Sequence, residues 1–447
     1  MISVLANRTY RHLLGAQIIA LIGTGLATVA LGLLAYDLAG GNAGAVLGTA
    51  LAIKMVAYIG VAPVVGAFAD RLPRRAFLVA MDLVRAAVAL SLPFVDQIWQ
   101  IYVLIFVLQS ASAAFTPTFQ ATIPDVLPDE ADYTRALSLS RLAYDMESLI
   151  SPILAAALLS VISFHWLFAG TSIGFICSAL LVVSVALPRS PAKPRTGGIW
   201  TKTTRGLRIY LKTPRLKGLL ALSLASAAAS SMVIVNTVVI VRGNLGFGQR
   251  EMALTLAAYG FGSMLAAFFI PRLLDKISDR TLMASAAALL TTGLAAMAVL
   301  TALFAKSAGY WPMLLAGWFV LGIAYSMSVT PSGRLLRRSA NAEDRPAVFA
   351  AQFALSHGCW LICYPLAGQI GAGVGQVAAF AVLATVAGIG TFASLWLWPS
   401  HDPALVAHSH DDLPPDHAHM REDHDHGKTK SHAFVIDDIH PDWPRVA

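Results

Sequence analysis

Residues 66–75 read GAFADRLPRR, and they join two apolar stretches that cover residues 45–69 and 77–95. A helix needs about 20 apolar residues to cross a bilayer, and both stretches are close to or above that length. Arginines directly after an apolar stretch hold that end of a membrane helix on the cytoplasmic side. The segment therefore predicts a short cytoplasmic turn between two transmembrane helices.

Ten further apolar stretches follow the same pattern: residues 13–38, 98–119, 137–161, 166–187, 219–241, 252–270, 282–304, 311–330, 347–371 and 377–398. The chain is 57% hydrophobic and only 13% charged, which excludes a soluble protein of 447 residues. We predict an all-α membrane protein with twelve transmembrane helices in two six-helix bundles.

The stretch 188–217 separates the sixth and seventh spans, and it is rich in proline, glycine and basic residues. The predicted organisation is an N-terminal bundle (1–187), a cytoplasmic linker (188–217), a C-terminal bundle (218–398) and a cytoplasmic tail (399–447). Assigning loops to alternate sides places 22 basic residues on one face, here called the basic face, and three on the opposite face. The excess predicts that both termini are cytoplasmic. The net charge of +7 thus reflects orientation in lipid, and we expect no nucleic-acid partner.

The turn after the second span resembles the signature of the major facilitator superfamily. Gly66, Asp70, Arg71 and the pair Arg74/Arg75 match its pattern, whereas Pro73 stands where a second glycine is usual. The resemblance implies two rocking six-helix bundles, with Asp70, Arg71, Arg74 and Arg75 as a cytoplasmic charge relay that latches one state. The alternative is that the arginines only anchor the helix end at the lipid headgroups.

Two further segments resemble the bacterial exporter branch that contains macrolide and siderophore exporters: residues 113–124, AAFTPTFQATIP, and residues 82–86, DLVRA. This implies location in the bacterial inner membrane, and we expect a monomer. The fourth span has no obvious equivalent of the arginine often found there in proton-coupled drug antiporters and carries Gln109 as a long polar residue, which leaves the usual route of proton coupling in doubt.

Ionisable side chains inside the spans are the candidates for a transport pathway, because each costs at least about 2.5 to 3.5 kcal/mol to insert. Asp82 and Arg85 are three residues apart and can neutralise each other. Arg141 and Asp145 are four apart and can do the same. Glu147 has no partner on its own helix, so Lys54 of the second span can pair with it or with Asp145.

The eleventh span carries Phe353, His357, Trp360 and Tyr364 along one helical stripe. His357 is predicted as a proton carrier or substrate ligand, with Tyr364 on the same pathway. The alternative is a neutral histidine that is hydrogen-bonded within the bundle. Cys177, Cys359 and Cys363 lie in apolar segments and are predicted to be free thiols.

The tail contains three His-x-His pairs among aspartates: His408 and His410, His417 and His419, and His424 and His426. Histidine nitrogen with carboxylate oxygen suits Ni, Co, Zn or Cu(II). Because the segment has few apolar residues and several prolines, we expect it to be disordered without metal. It resembles the histidine-rich ends of nickel-resistance exporters. The alternative is a solvated tail without a role in transport.

These patterns predict a secondary transporter whose export of nickel or cobalt is driven by an ion gradient, with no resident cofactor and no enzymatic activity. Lys54, Asp145, Glu147, His357 and Tyr364 would line the pathway, and the tail would gather metal. The alternative is efflux of a hydrophobic organic compound or a metal chelate, with the aromatic stripe of the eleventh span as a wall. No Gly-x-x-x-x-Gly-Lys-Ser/Thr loop is present, so we expect no ATP-driven step.

Overall fold

The computed structural model describes residues 2–68, 73–187, 199–307, 309–341 and 344–400, and, in the tail, residues 402, 406–409, 429–432, 434–437 and 439–443. Its α-helices are α1 (Arg8–Ala39), α2 (Ala43–Phe68), α3 (Arg74–Ser91), α4 (Ile98–Val126), α5 (Glu130–Leu158), α6 (His165–Val183), α7 (Ile199–Lys212), α8 (Pro214–Val238), α9 (Gln249–Leu274), α10 (Asp279–Phe304), α11 (Tyr310–Val329), α12 (Ser332–Arg338), α13 (Arg345–Gly373) and α14 (Gln376–Leu397). Two strands follow, β1 (Val406–Ser409) and β2 (Thr429–His432).

The helices are long and apolar enough for a membrane protein. Ten stretches of the described chain meet the length and composition of a membrane span, and the first, Arg8–Val61, contains α1 and most of α2. The polar helix α5 is not among them. The all-α membrane fold is thus confirmed, while the number of twelve crossings stays a prediction.

Polar caps decide where several helices begin. Asn7 accepts a hydrogen bond from the backbone N–H of Tyr10 at 3.1 Å, and α1 starts directly after it. Asp129 caps α5 in the same way through the N–H of Asp132 at 3.0 Å. Helix α5 therefore begins at Glu130, whereas apolar residues alone predict a span from 137.

Helices α1 to α6 pack mainly with one another, as do α8 to α14, and the two sets meet along α2 against α13 and along α5 against α9. The contact of α2 with α13 is closest near the opposite face, at a place here called the glycine seam, formed by Gly44, Gly48 and Gly368. A Cβ atom at Gly48 would lie 2.5 Å from the carbonyl oxygen of Tyr364, and one at Gly368 would lie 2.2 Å from that of Gly44. Only glycine allows the two backbones to approach so closely.

Helix α7 lies inside the predicted linker and is fixed to the C-terminal half. The Arg205 guanidinium pairs with both carboxylate oxygens of Asp344, at 2.6 and 3.0 Å. Gly206 faces the backbone of Ala347, where a Cβ would lie 2.2 Å from the carbonyl oxygen. Apolar runs do not reveal this helix, because its stability comes from contacts with α13.

The tail has ordered parts, and its two strands lie in the histidine-rich segment, where disorder was expected. Strands β1 and β2 pair antiparallel, with Val406 opposite His432. Beyond them, Phe434 and Ile436 are buried at 4% and 3% exposure. Arg215 donates to the carbonyl oxygen of Phe434 at 3.1 Å, and Lys212 pairs with Asp442 at 2.6 Å. Residues 434–437 and 439–443 therefore dock on the protein where α7 meets α8, because their apolar side chains are buried there.

Candidate functional site

The predicted pathway residues lie on the helices that join the two halves. Lys54 is on α2, Glu147 on α5, and His357 and Tyr364 on α13. The side chain of Asp145 lies outside the described part of the chain. These residues were predicted as charged groups inside the spans or as members of the stripe on the eleventh span, and the fold brings four of them to the region between the halves.

The name central cluster is used here for Lys54 and Tyr58 of α2, Phe353 and His357 of α13, and Glu147 of α5, whose charge acts on Lys54. The Lys54 Nζ atom lies 5.8 Å from the ring centre of Tyr58. The Tyr58 ring stacks on His357 with centres 5.4 Å apart and planes 7° apart, and it lies 5.9 Å from the Phe353 ring. The cluster therefore links the N-terminal half to the C-terminal half through aromatic rings beside one cation.

Lys54 and Glu147 form the charged part of this cluster. The Lys54 ammonium group and the Glu147 carboxylate lie close enough for each charge to act on the other. Both side chains are half-buried. The two groups are thus of opposite charge and close enough to interact, and the ion pair predicted across α2 and α5 stays a prediction.

A glycine on α1 sets the position of Glu147. A Cβ atom at Gly25 would lie 2.9 Å from the Glu147 Oε1 atom and 2.2 Å from the Ser151 Oγ atom. Any larger residue at position 25 would push both side chains away from α1. Sequence analysis did not identify Gly25, because its importance depends on which helix packs against it.

The hydrogen bonding of His357 fixes its tautomer. Its Nδ1 atom lies 2.6 Å from the backbone carbonyl oxygen of Phe353. Because a carbonyl oxygen only accepts, Nδ1 carries the proton and Nε2 is left as an acceptor in the neutral ring. This bond agrees with the alternative of a neutral, hydrogen-bonded histidine, and a role in proton transfer stays a prediction.

Further aromatic side chains continue from the cluster toward the opposite face. Tyr364 lies 5.0 Å from Trp360, centre to centre, and it is 6% exposed. Tyr259 and Tyr325 face each other at 5.8 Å, and the Tyr259 hydroxyl lies 2.6 Å from Ser230 Oγ. Sequence analysis did not identify Tyr58, Tyr259 or Tyr325. Tyrosines inside apolar spans are the signal that points to them, because each needs a hydrogen-bond partner there.

The predicted latch is described only in part. Asp70 and Arg71 lie outside the described residues. Arg74 pairs with Asp125 at the end of α4, and Arg75 donates to the carbonyl oxygen of Val183. The latch role of these four residues stays a prediction, and Asp125 is a partner that sequence analysis did not identify.

Asp82 and Arg85 form the internal ion pair that their spacing predicts. Ser178 donates to the second Asp82 oxygen at 2.8 Å. The Arg85 guanidinium lies between two aromatic rings, 4.3 Å from the centre of Phe115 and 4.5 Å from that of Phe175. The ion pair is therefore confirmed and both of its charges are buried, while its purely structural role stays a prediction.

The tail histidines are not tested as metal ligands. His410, His417, His419, His424 and His426 lie outside the described residues, as does the side chain of His408, whose backbone belongs to β1. Within the described part of the chain, no group of three or more histidine, cysteine or acidic side chains is placed to hold a metal ion. The three cysteines are free thiols, as predicted.

Comparison with known proteins agrees with this architecture. A family model described as "Major Facilitator Superfamily" matches residues 13–303 and 219–422. The uncharacterized MFS-type transporter YfiS of Bacillus subtilis is 25% identical over 301 residues, which cover 65% of this chain and 69% of the relative. Macrolide efflux protein A of Streptococcus pyogenes is 25% identical over 153 residues, which cover 32% of this chain and 38% of that protein.

Solved structures share the fold at low sequence identity. A mutant of the nucleoside transporter NupG is 13% identical, with a TM-score of 0.67 over 88% of this chain and 100% of its own. A D-xylose–proton symporter is 16% identical, with a TM-score of 0.62 over 89% of this chain and 97% of its own. The similarity first seen in residues 66–75 is therefore confirmed over most of the chain.

Proposed function

We propose that this chain, which belongs to the Major Facilitator Superfamily, exports a hydrophobic organic compound. As a member of that family it is a secondary transporter in a membrane, and its similarity to a macrolide efflux protein supports outward transport. The central cluster carries the proposal. Aromatic rings from both halves lie beside Lys54, whose charge is opposite to that of Glu147. Large apolar rings with few polar groups are typical of sites for organic ligands.

A divalent metal ion fits this cluster poorly. Lys54 contributes a positive charge beside Glu147, and like charges repel strongly where the surroundings are of low polarity. A transition metal would also need several nitrogen, sulfur or oxygen ligands around it. Export of nickel or cobalt therefore rests on the His-x-His pairs of the tail, and it is our second candidate.

The transport cycle follows from the packing of the two halves. The glycine seam holds α2 against α13 near the opposite face, so the substrate would enter from the basic face in this state. Rocking of the halves would separate the seam and release the substrate on the other side. We propose that Glu147 carries the coupling proton, and that Asp70, Arg71, Arg74 and Arg75 latch the alternate state at the basic face.

Transport assays on two preparations separate the candidates. Inverted vesicles that contain the full chain, or a variant truncated after Ser400, are given an inward-acid proton gradient and assayed for uptake of a macrolide and of radioactive nickel. We expect gradient-dependent macrolide uptake by both preparations. Nickel uptake that is lost on truncation, without macrolide uptake, would overturn the proposal and support the metal candidate.

A further inference from the structure

The charge balance of the central cluster also bears on which organic compounds can bind. A carboxylate with aromatic faces is the usual combination for binding an organic cation. Tyr144 precedes Glu147 by three residues on α5, and Tyr58 and Phe353 present further rings where α2 meets α13. Taken alone, these groups would favour a cationic ligand.

Lys54 removes that preference. Lys54 is on α2, one helical turn from Tyr58, whereas Glu147 is on α5. The Lys54 Nζ atom lies 5.8 Å from the Tyr58 ring centre. Its charge acts both on Glu147 and on His357, so its field reaches both halves of the cluster. A cation that approached Glu147 would gain that attraction and lose a comparable amount to repulsion by Lys54.

We propose that Lys54 is the residue that determines charge selectivity, and that it makes the site favour uncharged lipophilic compounds over permanent organic cations. This inference rests on the proposed function, because it concerns the same site. The preference should depend on the net charge of Lys54 and Glu147 together. Removal of the Lys54 charge should favour cationic ligands, and removal of the Glu147 charge should disfavour them.

Ligand binding tests the proposal independently of transport. The purified full chain is titrated with chloramphenicol, which is uncharged, and with tetraphenylphosphonium, a permanent cation, and the two Kd values are read from the intrinsic tryptophan fluorescence. Lys54→Gln should tighten tetraphenylphosphonium binding relative to chloramphenicol by about tenfold, since one unit charge acts across a partly screened distance of this order. Glu147→Gln should shift the ratio of the two Kd values in the opposite direction.

The double variant Lys54→Gln/Glu147→Gln restores a net charge of zero and should return the ratio to near the wild-type value. Lys306→Gln removes an exposed charge outside the cluster and serves as the matched control. A purely structural role for Lys54 would weaken both ligands equally, and an unchanged ratio in Lys54→Gln would overturn the proposal. If the wild type binds both compounds but transports neither, the proposed function fails while the ratio still tests the selectivity. If it binds neither, both proposals are wrong.

Discussion

Individual buried charges in this chain have partners that define their roles. Arg85 is held by Asp82 and by two aromatic rings in the N-terminal half. We expect Asp82→Ala to destabilise the protein by about 3 to 5 kcal/mol, because the Arg85 charge would remain buried without its carboxylate. The measurement is the unfolding midpoint in detergent.

The exposed pair Arg135–Asp132 has the same three-residue spacing and provides the control. Asp132→Ala should cost less than about 1 kcal/mol. Equal losses in the two variants would contradict a specific contribution from the buried pair.

The surroundings of Asp437 predict how docking of the tail depends on pH. Burial alone would raise its pKa, but hydrogen bonds from the ring and backbone of His440 and from the backbone of Ile439 hold the pKa of this carboxyl below its usual value. A lowered pKa stabilises the docked form above the unfolded pKa, and this stabilisation is lost as the pH falls through the lower folded value. Docking of this segment should therefore not weaken between about pH 8 and pH 5, where protonation of His440 adds to its attraction for Asp437, and should weaken only in stronger acid.

Hydrogen exchange of the tail segment, corrected for the intrinsic rate, measures this docking. Asp437→Asn should raise exchange at pH 7, because the amide replaces the charged acceptor. Asp442→Asn should change it little, since its ion pair with Lys212 is exposed to solvent and contributes less than about 1 kcal/mol. Loss of protection between pH 8 and pH 5 in the wild type would contradict the assignment.

At the scale of helices, the glycine seam is the contact most sensitive to a single methyl group. Asn236 of α8 packs behind it, donating to the carbonyl oxygen of Ala367 at 2.9 Å, and is fully buried. We expect Gly48→Ala to force α2 and α13 apart, because the new Cβ would overlap a backbone carbonyl. A cysteine at Thr49 should then react faster with a membrane-impermeant thiol reagent added from the opposite face.

Gly60 lies on the same helix with open space around its Cβ position, so Gly60→Ala is the matched control and should leave the labelling rate unchanged. Equal labelling rates in both variants would show that the seam does not close that face. The position of Thr49 beside Gln369 makes it a direct reporter, since their side-chain polar atoms are 3.5 Å apart.

Helices were easier to predict than their contacts. The apolar runs predicted every long helix, and the three-residue spacing predicted the Asp82–Arg85 pair, because both depend on local sequence. Gly44 and Gly48 show the small-xxx-small spacing of close helix contacts, but only the fold shows that α13 is the partner. Gly25, Asp125 and helix α7 were missed for the same reason. The importance of Gly25 and Asp125 and the stability of α7 come from contacts with another helix or with residues more than 50 positions away.

At the scale of the whole molecule, the two halves meet near the opposite face through several kinds of contact. Arg242 pairs with Asp37 at 2.9 Å across the halves, and Gly32 of α1 approaches Met252 of α9. The linker helix α7 and the docked tail both belong to the C-terminal half. The arrangement supports movement of the halves as separate bodies, with the central cluster between them.

The most direct test of this account is transport with the seam locked. Thr49→Cys and Gln369→Cys are introduced after replacement of the three native cysteines by serine, and the pair is joined by a short, reducible thiol cross-linker. Gradient-driven export of the organic compound should stop on cross-linking and return on reduction, while either single cysteine variant should transport throughout. Undiminished export with the seam locked would contradict a route that opens between the two halves.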